Sequence, residues 1–158
     1  MKFNFPAFVV NLIIPLAIGA GGAFFTAHSV DTWYPTLTKP AFNPPNTLFG
    51  PVWTVLYLLI GISAYRVWQR RRTIAHFPRT LSVYFIQLLL NLMWSFIFFY
   101  AKQPGLAFIE ILILLAVIVI NGRLFYRVDK TAGLLFIPYF LWVSFASVLT
   151  YSIYSLNP

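Results

Sequence analysis

The chain has 158 residues, 60% of them hydrophobic, 20% aromatic and only 9% charged; this leaves too little polar side chain to cover a soluble domain and reads as an integral membrane protein. Eleven Lys and Arg against three Asp and Glu give a net charge of +8. The absence of cysteine excludes disulfides and thiolate chemistry and leaves the redox compartment undetermined.

The first apolar stretch, about residues 6–27, is long enough to fill a bilayer core of roughly 20 residues. It runs too long for a short signal-peptide core and lacks an A-x-A-like end, so it is expected to stay as a helix. Its Ala17, Gly19, Ala20, Gly21, Gly22 and Ala23 are small side chains that permit close backbone approach in lipid. A long connection follows from Ser29 to Gly50, with Pro35, Pro40, Pro44 and Pro45 inside it and Pro51 just beyond. Prolines fix φ and remove backbone donors, so this segment is expected to be a stiff, non-helical loop. Long ordered loops act as lids or binding loops, although interfacial aromatics also anchor plain membrane-surface loops.

The second span, about 51–69, is the most amphipathic, with Trp53, Tyr57 and Ser63 interrupting its apolar run before the first charge at Arg66; it is taken to cross the membrane with these groups turned inward. Three further spans follow at about 80–101, 105–123 and 132–155. The chain is therefore expected to be one all-α, five-helix membrane domain over residues 1–158, with no room for a second.

An odd number of spans puts Lys2, Arg66, Arg70, Arg71, Arg72, Arg79, Arg123, Arg127 and Lys130 on one side, against Lys39 and Lys102 on the other. This bias predicts a cytoplasmic N-terminus, with the proline-rich loop and the C-terminus outside. The cations flank helices beside anionic headgroups and no nucleic-acid-binding module is present, so nucleic acid is not expected as a partner. His28 and His76 fall at opposite ends of helices, and no metal site is visible.

With a rise of about 1.5 Å per residue, depths follow. Trp53 and Tyr57 lie one above the other at roughly 5 and 10 Å from the outer face. On the third span Asn91, Trp94 and Phe98 form one stripe at about 15, 10 and 5 Å. Glu110 lies about 8 Å down the fourth span, and Trp142 and Ala146 about 20 and 14 Å down the fifth. These groups can converge into an aromatic pocket under the loop, suited to a large, flat, mostly hydrophobic ligand. Trp53 and Phe98 are shallow enough to be belt aromatics, and Trp142 equally reads as core. Asn91 also suits a hydrogen-bond post between helices, and Glu110 either a functional site or a group reaching water or Lys102.

Several motifs in order resemble the TspO and translocator-protein family of tryptophan-rich sensory proteins, formerly called peripheral benzodiazepine receptors. They are W-Y-x-x-L-x-K-P-x-F-x-P-P at 33–45, Pro51-Val52-Trp53-Thr54-Val55-Leu56-Tyr57, Ala64-Tyr65-Arg66-Val67, Gln87 to Ser95 with Phe98-Phe99, Pro138-Tyr139-Phe140-Leu141-Trp142 with Ala146, and Leu156-Asn157. The resemblance implies a five-helix bundle, usually a homodimer, with an outer-half cavity covered by the first loop. It implies binding of porphyrins, other tetrapyrroles, sterols and synthetic isoquinoline carboxamide or benzodiazepine drugs. Trp53, Asn91, Trp94, Phe98, Trp142 and Ala146 match pocket positions, and Trp33 and Pro44 match loop positions near the ligand. Glu110 stands where Asp is frequent, and Phe42 where Trp is common. The cholesterol-recognition pattern of animal members is missing after the last span, where the chain reads Tyr154-Ser155-Leu156-Asn157-Pro158, which disfavours sterol transport.

Two function classes follow: a receptor or carrier for tetrapyrroles, or a light-driven catalyst in which Trp53 and Trp142 supply electrons or scavenge radicals while a bound porphyrin is oxidised. Light-dependent porphyrin breakdown is attributed to some members of the resembled family. No base, nucleophile and orienting group sit together for hydrolysis, and a proton- or ion-coupled transporter lacks a path of buried ionisable residues apart from Glu110. No resident cofactor is expected; the expected partners are a tetrapyrrole or similar small molecule, membrane lipid and a second copy of the chain, in a bacterial cell membrane.

Overall fold

The structure, a computed structural model, describes residues 3–158. Lys2, counted above on the N-terminal side, lies outside the described residues. Among the described residues six α-helices make five spans: α1 (Phe5–Ala27), α2 (Asn46–Gln69), α3 (Phe77–Ser95), α4 (Pro104–Val128), and α5 (Lys130–Leu134) continued by α6 (Ile137–Leu156). Each span is long and apolar enough to cross a bilayer, the third running to Tyr100 and the fifth from Lys130 to Leu156.

Local sequence sets the ends. Asn4 caps α1 by accepting the Ala7 N–H at 3.0 Å, with Pro6 in the first turn where its missing donor costs nothing. The second helix begins at Asn46, five residues before the expected start, and Pro51 lies inside it. A proline this early removes one intrahelical bond and crowds only the carbonyl of Thr47, an exposed residue, so the helix tolerates it. The fifth span is broken at Leu135–Phe136. Pro138 cannot donate to a carbonyl four residues back, so α6 starts afresh around it. After α3, Phe96–Tyr100 forms a π-helical turn, which rotates the aromatic side chains beyond it relative to a continuous α-helix.

Burial in lipid gives no hydrophobic force between helices, so close packing and polar ties hold the bundle. The backbones of α1 and α2 approach closely at Gly61, where an added Cβ would stand 2.8 Å from the Asn11 carbonyl oxygen. At the basic end Asp129 caps α5 through the Ala132 N–H at 2.8 Å and ion-pairs with Arg66 at 2.9 Å and Arg70 at 2.8 Å, while Ser63 donates to the Ala132 carbonyl at 2.6 Å. Together these fasten α2 to α5. The buried centre, including Ile60, Leu88, Ile111, Leu114, Ile118 and Val143, lies among α2, α3, α4 and α6. The exposed large apolar residues, among them Val55, Leu89, Ile113 and Val148, form the lipid-facing surface.

Candidate functional site

A cavity of about 550 Å³ opens between α1, α2, α3 and α6, beneath the loop that joins α1 to α2. One wall is aromatic. Trp53 stacks on Tyr57 with centroids 5.6 Å apart and planes at 27°, and meets Tyr139 edge-on at 6.4 Å. Trp94 stacks on Phe98 at 5.2 Å and 17°, and Trp142 contacts Phe49 and Phe145. The α1 residues Gly19, Ala20, Gly22 and Ala23 complete the lining, with Gly19 packed directly on the Tyr57 ring. Aromatic faces and small side chains around a mostly apolar cavity suit a flat hydrophobic ligand.

The polar groups on this lining are few. Trp94 and Trp142 line it, but their indole Nε1 atoms are buried and without a hydrogen-bond partner among the described residues. An unpartnered buried donor is costly. Tyr57 is held from behind: its hydroxyl donates to Asn91 Oδ1, and Asn91 Nδ2 donates to Tyr139 Oη at 2.9 Å. This chain joins α2, α3 and α6 and fixes the aromatic wall.

The loop is ordered by named bonds. Ser29 Oγ donates to the Phe99 carbonyl, and Tyr34 Oη to Asn43 Oδ1 at 2.8 Å. Burial pushes the Tyr34 phenol above its ordinary pKa, the Asn43 bond only partly opposing it, so it remains a donor at neutral pH. Lys39 donates to the Tyr34 and Leu37 carbonyls at 2.9 and 3.1 Å and lies 4.9 Å from the Tyr34 ring centre. Asn157 accepts the Thr38 N–H and donates to the Thr38 carbonyl, both at 2.9 Å, which pins the loop to the end of α6.

Of the residues singled out in the sequence, the structure brings Trp53, Tyr57, Trp94, Phe98, Trp142 and Ala146 together around the cavity. Trp33 lies edge-on to Phe98 at 5.8 Å, behind that wall, and Pro44 lies in the loop with its carbonyl accepting from Asn43 Nδ2. Neither is on the cavity lining. Asn91 is the post between helices, 3% exposed and one layer behind Tyr57. Glu110 is buried in α4, and both its carboxylate oxygens lack a partner among the described residues; α4 contributes nothing to the cavity wall. The small residues of α1 pack closely, Gly19 on Tyr57 and Gly22 on Ser95, and also contribute to the cavity lining, a place that the sequence analysis did not assign them. The roles of Tyr34, Phe49 and Asn157 depend on how the loop folds back, which no spacing encodes.

The comparisons with known proteins agree with this architecture along the whole chain. The TspO/MBR family profile matches residues 11–156. The tryptophan-rich protein TspO of Archaeoglobus fulgidus is 42% identical over 98% of this chain and 99% of its own length. Protein CrtK of Rhodobacter capsulatus is 34% identical over 96% of this chain and 92% of its own. The human translocator protein is 32% identical over 96% of this chain and 90% of its own. With five membrane spans, an aromatic cavity under the first loop and similarity over nearly every residue, the chain belongs to the TspO/MBR family of integral membrane proteins.

Proposed function

We propose that this membrane binding and sensing protein takes porphyrins and related flat hydrophobic ligands into the cavity and works as their receptor or carrier. The observation that carries the reading is the cavity itself: about 550 Å³, lined by Trp53, Tyr57, Trp94, Phe98 and Trp142 together with small residues of α1. A macrocycle lying against these faces gains stacking area. The excess of cations at the far end of the bundle supports a cytoplasmic N-terminus, with the cavity mouth and loop outside.

The test is tryptophan quenching by protoporphyrin IX, read in the dark with the purified protein. Saturable quenching in the micromolar range is expected. Trp53→Leu and Trp142→Leu should each weaken it, and Ala146→Phe should abolish it by filling space the ligand needs. Unchanged curves in all three folded variants would overturn the assignment.

A second reading, oxidation of the bound porphyrin by dioxygen in light, is favoured by the Trp53–Tyr57 stack and its connection through Asn91 to Tyr139, which together place oxidisable rings at the cavity wall. The macrocycle is then the reductant and dioxygen the oxidant whose oxygen it takes up, while Trp53 and Trp142 relay single electrons from macrocycle to dioxygen and return to neutral indoles. Spectral bleaching that requires light and is lost in Trp53→Phe and Trp142→Phe supports catalysis; bleaching at the rate of free porphyrin supports binding alone.

A further inference from the structure

We propose a second binding site, for an anionic phospholipid, at the end of the bundle opposite the aromatic cavity. A groove of about 340 Å³ runs between the last turns of α4 and the junction of α5 with α6. Buried Ile118 and Phe136 form its floor with Gly122, and exposed Tyr126, Ile137 and Phe140 form its sides. Two local features create it. The break at Leu135–Phe136 interrupts the fifth span, and Gly122 has no side chain to fill the gap; a Cβ there would already stand 3.4 Å from Phe136 Cβ.

Arg123 and Arg127 line the same groove at i, i+4 on α4, on one face and one turn apart. The chain contains only three acidic residues, Asp31, Glu110 and Asp129. Asp129 is occupied by Arg66 and Arg70, Asp31 lies in the loop at the other end, and Glu110 is buried in α4 about 20 Å of helix rise from Arg123. The two arginines therefore have no carboxylate to meet within the chain. Arg71, at the end of α2, by contrast lies on the Trp68 ring, 3.7 Å from its centre. An apolar slot facing lipid, with two unpaired guanidinium groups at its headgroup end, complements an acyl chain ending in a phosphodiester. A free phosphate would leave the apolar slot unused, and a zwitterionic lipid carries a cation that opposes the pair, so the geometry selects an anionic lipid.

The test is native mass spectrometry of the full chain released from detergent, titrated with phosphatidylglycerol or with phosphatidylcholine of the same acyl chains. Phosphatidylglycerol should be retained more tightly, and soluble glycerol 3-phosphate should not displace it. The double variant Arg123→Gln/Arg127→Gln should weaken phosphatidylglycerol retention about 25-fold, at about fivefold per cation, and erase the headgroup preference. Gly122→Leu should lower retention of both lipids by filling the slot; Phe140→Ser, at an exposed position, does the same if Gly122→Leu does not fold. Helix content and melting temperature establish that each variant is folded. Wild-type retention in the folded double variant, or displacement by glycerol 3-phosphate, would overturn the site, as would unchanged retention when the slot is filled or stripped.

Discussion

Three glycines of the cavity lining, Gly19, Gly22 and Gly50, provide a graded test of the cavity, because a methyl group added at each meets a different neighbour. At Gly19 the new Cβ would stand 2.5 Å from Tyr57 Cε2 and 2.6 Å from Cδ2. Tyr57 cannot swing aside: its ring is stacked on Trp53, its hydroxyl is bonded to Asn91, and it is 6% exposed. At Gly22 the nearest atom is the Ser95 hydroxyl at 3.1 Å, a small group that can turn, and at Gly50 nothing lies within 4 Å. Overpacking of a fixed ring costs about 1–3 kcal/mol, against a helix-propensity gain of about 1 kcal/mol for Gly→Ala. Gly19→Ala should therefore be destabilising by up to about 2 kcal/mol, Gly22→Ala nearly neutral, and Gly50→Ala neutral or slightly stabilising. Because Tyr57 and Trp53 are the wall, the shift that accommodates the methyl narrows the cavity, and a loss of about 1–2 kcal/mol weakens porphyrin binding about five- to thirtyfold. Quenching titrations and thermal unfolding in one detergent measure both effects. If Gly19→Ala and Gly50→Ala behave alike in both assays, the small residues of α1 do not bound the ligand.

Topology is checked by single cysteines in this cysteine-free chain: Thr36→Cys and Pro158→Cys should react with an impermeant thiol reagent added outside intact cells, whereas Arg72→Cys should not; the opposite pattern reverses the orientation. Leu89 is 55% exposed on α3 beside exposed Phe85, Ile86 and Met93, a face suited to a homodimer contact. Leu89→Arg should give monomers by detergent-corrected mass measurement, while Gly22→Leu, directed inward at Ser95, should disturb ligand binding and leave the oligomer intact. At Asp129 burial raises the carboxyl pKa, but the bonds from Arg66 and the Ala132 N–H and the charges of Arg66 and Arg70 outweigh it and hold it below the usual value. A lowered folded-state pKa contributes stability that is present above the unfolded pKa and lost as pH falls through the folded one. Asp129→Asn should thus lower the melting temperature at pH 7, and the wild-type advantage over it should shrink progressively below pH 4, a dependence absent if the ion pairs contribute nothing.

Composition and apolar run length determined the five spans, since a bilayer demands about 20 apolar residues per crossing whatever the neighbours are. Helical periodicity likewise made Trp53 with Tyr57, and Asn91 with Trp94 and Phe98, legible as stripes, because spacing within one helix is fixed by its own hydrogen bonds. The start of α2 at Asn46 and the break before Ile137 were not legible, because whether a proline begins, kinks or merely sits in a helix depends on what its freed carbonyl meets. Which stripe faces which depends on the rotation and crossing of whole helices, set by contacts such as Gly61 against Asn11 and Asp129 between Arg66 and Arg70. Tertiary structure alone therefore placed α1 on the cavity lining, moved Asn91 one layer behind Tyr57 and put Glu110 outside the cavity. It alone folded the loop back so that Thr38 meets Asn157, 119 residues away, because lid closure rests on bonds between segments that share no local pattern.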